Sequence, residues 1–269
     1  MISNEKKKNA PSFPKIKERG FYVEKQDFFK ISEQVFASNS LSEFWQGDNK
    51  EKLWELCNIM LEQNKVMNLS AIRDETGVIC RHFADSLKVA KHIPSGAKVL
   101  DVGSGGGMPT LPLAIVRPDI KITALDATAK KTAYIISTAQ KLGLSNVSIL
   151  SGRAEELGNT PEHREKYDVV CARAVAELRI LAEWCVPFVK KDGLFISMKG
   201  KNGSIELSDA KNAIKTLLVR LEEDDEFNLF DLSSENEADA KRHIFVFRKF
   251  SATPAKYPRK HAQIQKKPL

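Results

Sequence analysis

Long apolar runs are missing from this chain of 269 residues. None approaches the roughly 18 residues that would span a bilayer, so no transmembrane helix is expected. The N-terminus, MISNEKKKNAPSF, is basic, but no apolar segment or small-residue cleavage site follows it, which argues against a secretory signal and for the cytoplasm. Cysteine is scarce. Cys57, Cys80, Cys171 and Cys185 form no CxxC pair and lie in apolar periodic segments, so reduced core thiols are expected before a zinc site or a disulfide, and no metal is expected. Acidic residues are absent from the last stretch, which carries Lys249, Lys256, Arg259, Lys260, Lys266 and Lys267. The net charge of +7 weakly favours a polyanionic partner.

What is present suits a globular domain. Hydrophobic residues make up 42% and charged residues 29%, enough at this length for one sizeable α/β core and an accessory region. Residues 1–48 are an extension of lysines, prolines and scattered aromatics (Phe13, Phe21, Tyr22, Phe28, Phe29), with helical character from Asp27 to Ala37. Residues 49–95 form a helical pair. Leu53, Leu56, Cys57, Met60 and Leu61 recur on one face of the first helix. Asp74 or Thr76 can cap the second, whose stripe is Ile79, Phe83, Leu87 and Ala90 before Pro94 and Gly96. Between them, Asn68 and Ser70 of MNLSAIRD can satisfy backbone groups locally. On pattern alone the pair is a lid packed on a main domain, residues 96–250.

From Lys98 the period changes to a βαβ alternation. Strands are expected at 98–103, 121–126, 147–152, 167–174 and 193–200, with helices from Pro109 to Val116, Thr128 to Lys141 and Leu178 to Val189. A long helix from about Ser204 to Leu221 precedes two further strands, FNLFDL (227–232) and HIFVFRKF (243–250). The segment joining those, SSENEADA, is too short for a crossover helix, so they are expected to pair antiparallel at the sheet edge. In the tail, 251–269, Pro254, Pro258 and Pro268 argue against a helix. The tail is either solvated or orders on an RNA backbone.

The stretch KVLDVGSGGGMP, residues 98–109, organises the rest. A strand runs through Asp101 into Gly103, Ser104 and Gly105, where bare backbone lets a ligand lie against peptide groups at the start of a helix. Three successive glycines cost backbone entropy without adding packing, which disfavours a mere connection. Met108 occupies the third position of a GxGxxG fingerprint, weakening a nicotinamide or flavin reading. What remains is D-x-G-x-G-x-G from Asp101. Together with the antiparallel ending it favours S-adenosylmethionine and the class I methyltransferase fold: an α/β, Rossmann-like, mostly parallel seven-stranded sheet with an antiparallel C-terminal hairpin. Asp126, ending the second strand, can accept both ribose hydroxyls or simply cap the helix beside Thr128. Ala154 and Glu155, after the third strand, lie where such a fold reads adenine, and Arg153 faces solvent or substrate. Arg173 ends the fourth strand at the edge where open α/β sheets bind ligands. Lys199 ends the fifth, either for a substrate phosphate or as a loop residue.

Two absences narrow the chemistry. No Asn- or Asp-Pro-Pro-Tyr tetrapeptide exists to grip an exocyclic amine, and no Pro-Cys pair offers a nucleophile for C5 methylation. A ring nitrogen such as guanine N7 already presents a lone pair, so attack through it needs alignment more than a general base.

The motifs MNLSAIRD, RHFADSL (81–87), DVGSGGGMPTLPLAI (101–115), GRAEE (152–156), ARAVAEL (172–178), MKG (198–200) and AKYPRKHAQIQKKPL occur in that order. Together they resemble the RsmG (glucose-inhibited division protein B) family of bacterial small-subunit rRNA guanine-N7 methyltransferases. The resemblance implies cofactor contact by Gly103, Met108, Ala154, Glu155 and Arg173, and methyl transfer from S-adenosylmethionine to N7 of one guanine in 16S ribosomal RNA. The tail departs from the family pattern at HAQIQ, where a Gly/Pro-containing turn is usual. Arg173 is expected to position the pocket. Arg81, His82, Arg153, Lys199, Lys256, Arg259 and Lys260 are the candidates for substrate or RNA contact, with Arg81 or His82 near the glycine turn. Two other readings stand: a methyltransferase for a protein or small molecule, and a non-catalytic ribosome-assembly factor that binds cofactor and RNA.

Overall fold

The computed structural model describes residues 23–234 and 240–269. The basic start of the extension, with Phe13, Phe21 and Tyr22, and the middle of SSENEADA lie outside the described residues. Helix α1 (Lys25–Ser38) and helix α2 (Asp48–Met67) come first, the latter burying Leu53, Leu56, Cys57, Met60 and Leu61 as its periodicity requires. Asp74 caps the next helix by accepting the Gly77 amide at 2.7 Å. That helix is not uniform: α3 (Glu75–Gly77) passes into π-helical turns over Val78–Ala84, then α4 (Asp85–Leu87) and a tighter turn, Lys88–His92.

The βαβ region follows as β1 (Lys98–Val102), α5 (Thr110–Val116), β2 (Lys121–Asp126), α6 (Ala129–Lys141), β3 (Val147–Ser151), α7 (Ala154–Leu157), β4 (Tyr167–Arg173), α8 (Leu178–Cys185) and β5 (Val189–Lys199). Then come α9 (Gly203–Asp209), α10 (Lys211–Thr216), β6 (Val219–Asn228), β7 (Lys241–Lys249) and α11 (His261–Lys266). One seven-stranded sheet has the order β3-β2-β1-β4-β5-β7-β6. Its first five strands are parallel, and β7 runs antiparallel to both β5 and β6. This is the class I methyltransferase fold.

Strand alternation divides the core in two. Val99, Val169 and Cys171 face a cluster built with α1, α2, the helix after Asp74 and α5, whereas Leu100, Val170 and Ala172 face one built with α8, α10 and Tyr257. Burial on both faces explains the continuous apolar run of β4. All four cysteines are free and buried.

Three expectations are corrected. The long helix of residues 204–221 is two short helices followed by a strand, and β6 begins at Val219, so FNLFDL supplies only its end. The charged run of β6 has poor strand propensity, but it lies at the sheet edge, where charge is tolerated and deters further pairing. Tertiary partners complete it: Glu222 meets Arg248, Asp224 meets His243, Asp225 meets Lys91 and His92, and Glu226 meets Lys241. The second correction is that α5 opens at Thr110, with Pro109 before it.

The third concerns the tail, which packs on the main domain through part of its length while its other side chains stay exposed. Its prolines bracket a helix, α11, instead of preventing one. Lys249 is fully buried, with Nζ donating to Glu165 at 2.6 Å and to the Val189 carbonyl at 2.7 Å. Arg164 donates to the carbonyls of Tyr257 and Thr253, and Asn159 to that of Pro258. Arg259 sets its guanidinium and its amide on the buried carboxylate of Glu183, at 2.6–2.9 Å. Two cations of the basic C-terminal stretch, Lys249 and Arg259, are thus spent on folding.

Candidate active site

The glycine turn is tied to the end of β2: Gly103 and Ser104 donate their amides to the Leu125 carbonyl at 2.8 and 3.0 Å. Gly103 has φ +75°, and a Cβ there would stand 2.6 Å from Val175 Cγ2. Conformation and contact both demand glycine. Gly105 differs. Its φ is +54°, yet a Cβ would find only the Gly103 carbonyl, 3.8 Å away, so the space above this residue is open. Asp126 joins the turn to the next helix, accepting the Gly105 amide at 3.0 Å and the Thr128 amide at 2.8 Å. Ser104 is buried with Oγ 3.3 Å from the Leu125 carbonyl, and Met108 is buried in the first core cluster.

Two buried carboxylates have a bare oxygen. Asp101 Oδ2 accepts from Thr110 Oγ1 at 2.6 Å, but Oδ1 has no hydrogen bond. Burial pushes the Asp101 carboxyl up to about 6, against the opposing pull of the Thr110 hydroxyl and the Arg173 charge. Glu155, following the buried Ala154, likewise has Oε1 without a hydrogen bond. His261 Nδ1 lies 3.1 Å from that oxygen and Arg153 3.7 Å, neither aligned as a hydrogen bond. An amide from Gly152 to the Asp126 carbonyl sets the end of β3 beside that of β2. An open backbone turn with unsatisfied buried acceptors beside it fits a ligand that carries hydrogen-bond donors and positive charge.

Arg173 is the hub of the opposite wall. Its Nη1 donates to Asp85 Oδ2 at 2.7 Å and to the Arg81 carbonyl at 2.9 Å, and its Nη2 lies 3.1 Å from His82 Nδ1. A guanidinium only donates, so His82 Nδ1 is the acceptor and the neutral ring carries its proton on Nε2. That nitrogen is 2.7 Å from Ser70 Oγ, which also accepts the Ile72 amide. Ser70 is held in turn by the buried Asn64 side chain. MNLSAIRD is therefore clamped from both ends, and its Leu69 Cβ is 3.4 Å from where a Cβ of Gly106 would stand. The connection thus lies against the glycine turn.

Burial, then the charges of Arg173 and Arg81, push His82 down to about 3. We expect its ring nitrogen shifts to show the Nε2–H tautomer without titration between about pH 5 and 9. An imidazolium signal in that range would contradict this geometry.

The remaining candidates are scattered in role. Arg81 turns to Asp231 (3.1 Å) and Ser233 (2.7 Å). Lys199 is buried and braces the chain after β4, meeting Glu206 at 2.7 Å and donating to the Ala176 carbonyl. Arg153, Lys256 and Lys260 are exposed, Lys256 lying over the Tyr257 ring. Arg259 is engaged with Glu183. A cavity of about 430 Å³ opens beside Arg173, bounded by Asp85, Val175, Met198, Lys199, Glu206 and Phe227 among others. Asp85, Val175 and Glu206 escaped sequence reasoning. Asp85 left one signal, as a carboxylate in RHFADSL four residues after an arginine; Val175 left none, because what matters is its approach to Gly103.

The model of the family GidB, rRNA small subunit methyltransferase G, matches residues 49–228. The ribosomal RNA small subunit methyltransferase G of Acetivibrio thermocellus is 40% identical over 220 residues, covering 81% of this chain and 88% of the relative. Its counterpart in Desulforamulus reducens is 42% identical over 214 residues, covering 79% and 87%. Among solved structures, a precorrin-6y C5,15-methyltransferase from Geobacter metallireducens aligns with a TM-score of 0.47 and 15% identity, over 62% of this chain and 86% of that one. With the family's pattern running through the glycine turn, the Arg173 hub and the sheet that carries both, the chain belongs to the GidB family, rRNA small subunit methyltransferase G.

Proposed function

We propose that this protein transfers the methyl group of S-adenosylmethionine to N7 of a guanine in 16S ribosomal RNA of the small subunit, in the cytoplasm. The observation that supports the reading is the pairing of an open glycine turn, flanked by buried carboxylate oxygens without donors, with a wall whose His82 is held neutral against Arg173. Gly103, Ser104, Gly105 and Met108 would form the cradle. Asp101 and Asp126 would take the donors of the ligand, and Ala154 and Glu155 its adenine end. Bound there, S-adenosylmethionine supplies an electrophilic methyl on a sulfonium.

The chain's own residues orient and exclude water. His82 is kept neutral with its Nδ1 lone pair taken by Arg173, so it serves to position that guanidinium and not to move a proton. This suits attack by a ring nitrogen that has no proton to lose, for which alignment supplies the larger share of the rate. Arg173 shapes the mouth of the cavity by fixing Asp85 and the Arg81 carbonyl. On this reading residues 96–250 carry the chemistry, residues 49–95 wall the pocket, and exposed Arg153, Lys256 and Lys260 are available to phosphates.

The test is incubation of the purified protein with undermethylated small subunits and methyl-labelled S-adenosylmethionine, followed by mass mapping of the RNA. One new 7-methylguanosine in 16S RNA is expected. Label in protein or in a small molecule would move the substrate, and binding without transfer would indicate an assembly factor.

A further inference from the structure

The C-terminal strap, residues 251–269, carries an aromatic nitrogen base to the edge of the candidate cofactor pocket. His261 stacks on Trp184, with ring centroids 6.0 Å apart and planes 13° from parallel, and presents Nδ1 3.1 Å from Glu155 Oε1. That carboxylate is buried, and the oxygen facing His261 has no hydrogen bond. The ring's place is fixed from both sides. Before it, Arg259 is bound by Glu183, and the Pro258 carbonyl by Asn159. After it, Ile264 is fully buried, and Leu269 packs against the second core cluster. Such anchoring is far more than a solvated tail needs, and it ends on the one residue of the strap that faces Glu155.

We propose that His261 is a positioning residue of the cofactor site: the strap seats its ring between Trp184 and Glu155, so that it fixes the Glu155 carboxylate and walls the adenosyl end of the pocket. The proposal rests on the reading above that Glu155 lines that pocket. A glutamate has three rotatable side-chain bonds, and holding it before the ligand arrives removes an ordering cost from binding. The strap is thereby divided by function. Lys256, Lys260, Lys266 and Lys267 are exposed to solvent, while the half-exposed His261 ring lies along Trp184 with Nδ1 toward Glu155.

The test is calorimetric binding of S-adenosylhomocysteine, without RNA, to the full chain and three variants, with Tm measured alongside. His261→Ala is expected to raise Kd about three- to tenfold while Tm moves by less than about 2 °C. His261→Asn, which keeps a nitrogen at the Nδ1 position, is expected to restore most of the affinity. The double variant Lys266→Ala/Lys267→Ala is expected to match the wild type. Equal Kd for the wild type and His261→Ala overturns the proposal. So does a loss of affinity that asparagine does not rescue and that follows a fall in Tm. If the wild type itself does not bind the ligand, the methyltransferase reading fails, and the proposal falls with it.

Discussion

Replacing Asp101 with asparagine is expected to flatten one limb of the stability profile and to weaken binding of S-adenosylhomocysteine by about 10- to 100-fold. The folded protein holds this carboxyl at about 6, against an ordinary 3.8, because it is fully buried with one oxygen unpaired. Between roughly pH 4 and 6 the unfolded chain has released the proton and the folded protein has kept it. The folded state then binds more protons, so wild-type stability falls as pH rises through that window. The loss is on the order of 3 kcal/mol and persists above it. Asparagine does not titrate. The difference in unfolding free energy, variant minus wild type, should therefore climb with pH between about 4 and 6 and then level off, as urea titrations without ligand can measure. A difference independent of pH would falsify the burial argument. The physical sense is that a carboxylate kept short of donors is costly to the empty protein and useful to a ligand that brings them.

Arg173→Ala should lower methyl transfer to the small subunit by about 100-fold, the scale expected when a pocket wall shifts by an ångström or so. Removing the guanidinium leaves Asp85 with Arg242 alone, frees the Arg81 carbonyl, and strips His82 Nδ1 of its donor. Arg173→Lys should rescue little, since one ammonium cannot span the three acceptors that the planar fork reaches. The His82 ring reports on this independently of activity. Its pKa is held down by burial first and by the Arg173 charge second, so the alanine variant should move it upward. Single-turnover rates together with histidine NMR would check both, and full activity in Arg173→Ala would remove Arg173 from the site.

Much of the fold was legible because its signals are local. The apolar run of β4, the stripe of α2 and the glycine turn each follow from period or from backbone freedom. β6 was not legible, because its acidic residues look like anything but a strand until Arg248, His243 and Lys241 stand opposite them. α11 was hidden for a related reason. Its prolines lie outside the helix, and what makes it form is the seat that Ile264 finds in the core.

The same division holds for the site. Sequence by itself located the turn: Asp101, Gly103, Gly105 and Asp126 lie on two strand ends and a turn whose backbone geometry is written in residue type and spacing. Tertiary structure alone decided which charges are available. Arg81, Lys249 and Arg259 look alike in the sequence as free cations, yet each meets a carboxylate brought from a distant part of the chain. Only the fold turns His261, one residue of a basic tail, toward Glu155. Backbone freedom belongs to a residue and its neighbours in the chain, whereas the partner of a charge depends on where the whole chain has gone.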